Sequence, residues 1–171
     1  AAPWLVHKIF GQWSRVLEIK RPAEGAPYLS GMWAYTQGSA RIAQKAFSQA
    51  REHLAQLEAL VELSRRDTGQ AGATPNARIL ELAALSLRGE LLEATGDLDG
   101  AIKAFEAGVA LEDLNNYTEP PDWPQPLRHY LGAALLKANR AADAEAVYRR
   151  DLQWNHNNGW SLLGLQQALL A

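Results

Sequence analysis

Apolar residues recur along most of the chain at the three- and four-residue spacing that one face of an α-helix requires. One series runs through Leu80, Ala84, Leu87, Leu91 and Ala94, and after Gly96-Asp97 a second runs through Leu98, Ala101, Ile102, Phe105 and Val109. Two helices joined by so short a turn lie side by side and antiparallel. The pattern predicts an all-α protein built from helix pairs.

The spacing of small and large residues within such a pair occurs three times. A glycine precedes an alanine by twelve positions, and a large apolar residue follows that alanine by four, in the sets Gly38, Ala50, Leu54; Gly89, Ala101, Phe105; and Gly132, Ala144, Tyr148. A small residue allows close approach of two helices, and residues four apart share one helix face. We therefore predict a stacked array of helix pairs.

The predicted pairs make up one domain, residues 1–171. Its units cover residues 3–22 as a partial pair, then 29–66, 75–114 and 125–153, with a single capping helix over 158–170. A terminal unit of such an array needs cover for its apolar face. We therefore expect the capping helix to dock through Trp160, Leu162 and Leu165, and Trp160 to fill a gap between units, as Trp13 and Trp33 do.

The amino-terminal unit has no such cap. The chain starts without Met and without a signal region, which favours a piece of a longer protein. Four large apolar residues begin it with nothing above them: Trp4, Leu5, Ile9 and Phe10. We expect this end to self-associate or to fray.

These units resemble the tetratricopeptide repeat (TPR), a helix-turn-helix unit of 34 residues. The middle unit is the most similar, with Gly89 at the close helix approach and Gly96-Asp97 at the tight turn. Asn139-Arg140 and Lys45-Ala46 replace that turn in the other two units. The stretch from Trp123 to Trp160 also resembles the carboxyl-terminal part of uncharacterised bacterial TPR proteins. The resemblance implies an α-α superhelix.

Composition removes several functional classes. The net charge of −2 and the lack of a Lys/Arg run give no electrostatic footprint for nucleic acid or for an anionic membrane. No apolar stretch is long enough to span a bilayer. With no cysteine, the chain has no disulfide or thiolate site. A soluble protein is predicted, and both cytoplasm and periplasm remain open.

No arrangement of residues indicates catalysis. The four histidines are scattered and none stands at the spacing of a metal site. No serine lies in the strand-turn-helix context of a nucleophile elbow. The sequence predicts no enzyme, no catalytic residue, no metal and no cofactor.

In the family that the chain resembles, the first helix of each pair lines a concave face that holds the partner. In this register that face consists of Tyr35, Ser39, Ser86, Glu90, His129, Tyr130 and Lys137. The Lys/Arg/Asn cluster with which TPR domains clamp a peptide carboxylate is missing, so a chaperone carboxyl terminus is not the expected ligand. The resemblance implies a non-enzymatic scaffold that holds a peptide or protein segment.

Three further residues are candidates for accessory contacts. Trp123 follows a proline-rich connector and could either staple it down or line the groove. Trp154 could mark a contact surface or lie under the last helix. Arg128 is expected to form a structural ion pair with Asp151 or Glu119, because a charge close to packed residues needs a partner. A ligand-binding role is its alternative.

Two other functions stay open at this point. Trp123, Arg128, His129 and Tyr130 could form a small-ligand or metal-sensing site that a missing amino-terminal part completes. The fragment could also be a spacer for an enzymatic domain elsewhere in the chain.

Overall fold

A computed structural model of the chain describes residues 1–68, 75–115 and 121–171. Over these ranges it contains nine α-helices and no strand, which confirms the all-α prediction. The helices are α1 (Ala2–Ile9), α2 (Trp13–Leu17), α3 (Pro27–Ala43), α4 (Phe47–Thr68), α5 (Pro75–Ala94), α6 (Leu98–Glu112), α7 (Leu127–Lys137), α8 (Ala141–Trp154) and α9 (Gly159–Leu170). None of the helices in the described ranges combines the length and hydropathy of a membrane span.

Three helix pairs stack in sequence as an α-α superhelical arrangement. α3 contacts α4, α5 contacts α6 and α7 contacts α8, while α4 meets α5 and α6 meets α7 between pairs. α3 also contacts α5, and α9 lies against α8 and α7. The first helices of the pairs are thus α3, α5 and α7.

The three pairs share one turn geometry. Two residues after the end of each first helix, the backbone is left-handed, at Lys45 (φ 59°), Gly96 (φ 93°) and Asn139 (φ 57°). In all three turns the backbone N–H groups of this residue and of the next donate back to carbonyls of the last helical turn, which is the Schellman arrangement. Lys45-Ala46 therefore makes the same turn as Gly96-Asp97, although its sequence differs.

The predicted small residues lie at the helix contacts. Ala50, Ala101 and Ala144 are all 0% exposed. A Cβ added at Gly89 would overlap the Phe105 ring, and one at Gly132 would overlap the Tyr148 ring.

The first pair departs from this scheme. Gly38 faces Leu87 of α5 rather than Leu54. Its small size therefore serves the contact between units.

The predicted docking face of α9 is wrong for two of its three residues. Trp160 is 63% exposed and Leu162 is 48% exposed, whereas Leu165 is partly buried. The buried residues of α9 are the small ones, Ser161, Gly164 and Ala168. Their spacing of three and four puts them on one face, and Gly164 lets the Tyr148 ring approach the helix backbone.

The amino-terminal segment folds back onto α3. Val16 of α2 is fully buried; its carbonyl accepts from Gln37 Nε2 at 2.6 Å, and that of Ile19 accepts from Trp33 Nε1 at 2.8 Å. Trp33 itself is only partly buried.

α1 is partly covered rather than open to solvent throughout. Trp4 and Leu5 pack against the core, while Phe10 is 72% exposed. Self-association or fraying of this end stays a prediction.

Candidate binding site on the face of the first helices

A cavity of about 520 Å³ lies where the three first helices face the same side. Five of the seven residues predicted for the concave face line it, namely Ser39 from α3, Glu90 from α5, and His129, Tyr130 and Lys137 from α7. The other two, Tyr35 and Ser86, are fully buried beside it. The structure therefore brings most of the predicted set together around one opening.

The cavity wall combines apolar and charged groups. Its apolar part is supplied by Ile42, Ala43, Ala94, Ala133 and the indoles of Trp13 and Trp160. Glu93 and Lys137 form an ion pair that spans α5 and α7 at its edge. Such a mixture of apolar wall and a few placed polar groups is typical of binding sites.

Beside the cavity, α1 inserts the side chain of Lys8 among the first helices. The side chain is 4% exposed, and Nζ lies 3.1 Å from Glu90 Oε1 and 2.9 Å from the Tyr130 hydroxyl oxygen. The same Nζ lies 4.8 Å from the centroid of the Tyr35 ring and 5.2 Å from that of Tyr130, within the range of a cation–π contact. We call Tyr35, Ser86, Glu90 and Tyr130 the lysine site.

The lysine site is joined by one chain of hydrogen bonds. The Tyr35 hydroxyl donates to Ser86 Oγ at 3.1 Å, because the Ser86 hydroxyl is itself the donor to Glu90 Oε1, also at 3.1 Å. On the other side of Lys8, the Tyr130 hydroxyl donates to Gln125 Oε1 at 2.6 Å. The polar atoms around the ammonium group are therefore satisfied while Lys8 is in place.

The electrostatics of the site favour a cation. Burial alone would lower the pKa of Lys8, but the Glu90 carboxylate and the neighbouring Tyr35 and Tyr130 raise this pKa well above its ordinary value. Burial also raises the pKa of both tyrosines, which Lys8 opposes. The site therefore holds a charged ammonium between two neutral phenols.

His129 belongs to a second polar network, which connects α7, α8 and α9. Asp151 is 1% exposed, and its Oδ2 lies 3.1 Å from His129 Nε2 and 2.5 Å from Ser161 Oγ, while Oδ1 accepts from Asn155 at 2.9 Å. Burial would raise the pKa of Asp151, but these three donors outweigh it and lower this pKa.

This network is not arranged for nucleophilic catalysis. In a hydrolase triad the histidine accepts the serine proton and the carboxylate lies behind the histidine. Here the Asp151 carboxylate lies between Ser161 and His129, and it accepts the hydrogen bond from the Ser161 hydroxyl itself. The arrangement holds helices together.

Arg128 forms the expected kind of contact with a different partner. Its guanidinium makes two hydrogen bonds of 2.7 Å to the carboxylate of Asp113, at the end of α6. The predicted partner Asp151 already has three other donors, and the alternative Glu119 lies outside the described residues. Arg128 is nine-tenths buried, and its guanidinium is paired with Asp113. This environment fits a structural ion pair and does not fit the predicted accessory contact with a partner.

Trp123 and Trp154, the other two candidate accessory residues, have opposite environments. Trp123 is buried, with its ring centroid 5.5 Å from that of Tyr35, so it presents no surface to a partner. Most of the connector before it, residues 116–120, lies outside the described residues. Trp154 is 62% exposed and stacks under the Arg150 guanidinium at 5.6 Å.

The hypothetical sensing cluster is not formed. Trp123 contacts Tyr35, Arg128 pairs with Asp113, His129 with Asp151 and Tyr130 with Lys8. Each side chain is committed to a different neighbour. The described part of the chain contains no group of three His, Cys, Asp or Glu side chains placed to hold a metal.

The sequence interpretation overlooked Lys8 and Gln125, which complete the lysine site. One signal was available for Lys8, a single lysine within the apolar run Trp4-Leu5-Val6-His7-Lys8-Ile9-Phe10. Its partners could not be read from this run, since Tyr130 is 122 residues away. Comparison with protein-family models, with curated proteins and with solved structures found no match.

Proposed function

We propose that this chain is a non-enzymatic binding module of the TPR type. It holds a peptide or protein segment on the face formed by α3, α5 and α7. The observation that carries this proposal is the cavity of about 520 Å³ lined by side chains from all three first helices. A site shared by three consecutive units suits an elongated ligand, since solenoid arrays form extended concave surfaces.

The repeated geometry supports the TPR part of the proposal. Three pairs with the same Schellman turn place their first helices on one side. Two of the pairs close through a glycine against an aromatic ring of the second helix, Gly89 on Phe105 and Gly132 on Tyr148.

The chemistry of the cavity defines the expected partner. Trp13 and Trp160 supply aromatic surface, while Glu90, Glu93 and Lys137 supply charge. Tryptophan surrounded by a polar rim is typical of interaction surfaces, and Trp160 is 63% exposed. We expect a segment with at least one large apolar side chain and one charged side chain.

The test is selection from a displayed library of random peptides against the intact chain. Selected peptides should lose binding to Ala94→Trp, because a large ring there fills the cavity. Ala107→Trp is the matched control, since Ala107 is exposed on α6, outside the cavity lining. Equal binding to both variants, with unchanged circular dichroism, would contradict a site in this cavity.

The alternatives lack a specific supporting observation. A ligand or metal sensor would need Trp123, Arg128, His129 and Tyr130 to converge, and they do not. A pure spacer would not need the cavity to be lined by side chains of all three pairs. The binding module is therefore the function that we propose.

A further inference from the structure

We propose that the lysine site is a recognition site for a lysine side chain of a partner, and that Lys8 occupies it as an internal substitute. The partner segment carries a lysine flanked by large apolar residues, as α1 itself does, and it displaces α1 on binding. This inference rests on the proposed function and specifies which ligand the concave face selects.

The first step of the inference is that the site is built for a cation. Glu90 supplies the charge, two tyrosine rings face the ammonium group, and Ser86 and Gln125 orient the acceptors. If Lys8 left without replacement, the Glu90 carboxylate would lose its counter-charge and keep only the Ser86 hydroxyl as a donor. Buried polar groups are costly when unpaired, so the vacant site favours another ammonium group.

The second step concerns the weak attachment of α1. This helix has only eight residues, Ala2–Ile9, too few to be stable alone. Val6 is 49% exposed, and Phe10 directly after the helix is exposed still more. Part of the apolar surface of this segment is therefore not buried when α1 docks, and it contributes nothing to the free energy of docking. Lys8 is the only residue of α1 that is buried, while Trp4 and Leu5 pack against the core from partly exposed positions, so the Lys8 side chain is the one fully buried attachment of this helix.

The third step is the continuity of the two sites. Glu90, Gln125 and Tyr130 belong to the lysine site or its hydrogen-bond chain, and all three also line the open cavity. A segment lying in the cavity therefore contacts Glu90 and Tyr130, the two residues that bind the Lys8 ammonium group.

The experiment uses the full chain with Lys8→Glu, which places a carboxylate against Glu90 and expels α1. Lys20→Glu is the control, with the same change of charge at an exposed position. The probe is a labelled synthetic peptide of residues 1–11, in its natural form and with Lys8→Met. This substitution keeps a side chain of similar length and removes only the ammonium charge. Binding is measured by fluorescence anisotropy.

We expect the natural peptide to bind the Lys8→Glu protein at least tenfold more tightly than it binds the Lys20→Glu protein. The Lys8→Met peptide should bind the Lys8→Glu protein with at least tenfold lower affinity than the natural peptide does. Adding Glu90→Gln to the Lys8→Glu protein should abolish this difference in affinity between the two peptides. Equal binding of both peptides, or binding of neither, would overturn the lysine site.

A second measurement needs no variant. In the natural protein, acetylation of Lys8 by an amine-reactive ester should be at least tenfold slower than that of exposed Lys20, and the natural peptide in excess should accelerate it. Acetylation of Lys8 as fast as that of Lys20 without peptide would contradict its insertion. Because the probe is the chain's own segment, these outcomes are independent of the library selection that tests the proposed function.

Discussion

The α5–α6 pair and the lysine site are both buried, yet they are specified in different ways. The pair closes through Gly89, Ala101 and Phe105, which lie within seventeen residues of one another. The lysine site joins Lys8 to Tyr130 across 122 residues. The contacts within the pair follow from helix periodicity. The contacts of the lysine site depend on how the whole array brings α1 next to α7.

The two regions also differ in what a broken contact should do. A steric clash within the pair cannot be relieved by local movement, because close-packed helices relax little. Such a clash should therefore lower the stability of the whole domain. A lost partner in the lysine site can be relieved by release of one short helix.

The largest loss should come from Ala101→Leu. Ala101 is fully buried between α5 and α6, and overpacking a core costs roughly 1–3 kcal/mol; three added carbons place this variant near the upper end. Ala107→Leu, on the exposed side of α6, should change stability little. Urea denaturation measures both, and equal midpoints would refute the register of the pair.

Gly89→Ala should destabilise by about 1–2 kcal/mol, within the range for overpacked cores. The sign is informative, because the same change at an unconstrained helix position stabilises by up to about 1 kcal/mol. The new methyl group would overlap the buried Phe105 ring. Gly159→Ala in α9 has open space around it and should be neutral or stabilising. Thermal melts that rank the two variants the other way would contradict the contact.

A pH-dependent effect on stability is expected at Glu112. Burial raises the pKa of its carboxyl to about 7, against the hydrogen bond from the Leu127 N–H and the charge of Arg128, which lower it. Since the folded state holds the proton more tightly than the unfolded chain, Glu112 costs stability progressively as pH rises through the interval from 4.5 to about 7.

Glu112→Gln should remove this dependence. Its gain in melting temperature over the natural protein should grow across that interval and then level off above it. A difference between the two proteins that stays constant with pH would show that the pKa of Glu112 is not raised.

Much of the helical scaffold could be predicted because its determinants are local. Ala50, Ala101 and Ala144 were placed at helix contacts from their spacing alone, and all three are there. The turn at Lys45 was harder to predict, since its sequence does not indicate the left-handed backbone that it adopts (φ 59°).

Other features could not be predicted because periodicity does not determine them. α9 has apolar residues on all sides, so the pattern could not show that Ser161 and Gly164 form the docked face. The first helices could be assigned to one face, but the pattern gave no reason to bury Tyr35 and Ser86 beneath Lys8. That arrangement depends on a segment far away in the chain.

Hydrogen exchange in Glu90→Gln tests most directly whether Lys8 holds α1 against the first helices. Glu93→Gln is the matched control, because Glu93 lies one helical turn away and also pairs with a lysine, Lys137. With Glu90→Gln we expect amide exchange in residues 4–9 to accelerate at least tenfold while exchange in residues 98–110 stays unchanged, and with Glu93→Gln neither should change. Unaltered protection of residues 4–9 in Glu90→Gln, or equal loss in both variants, would contradict the account.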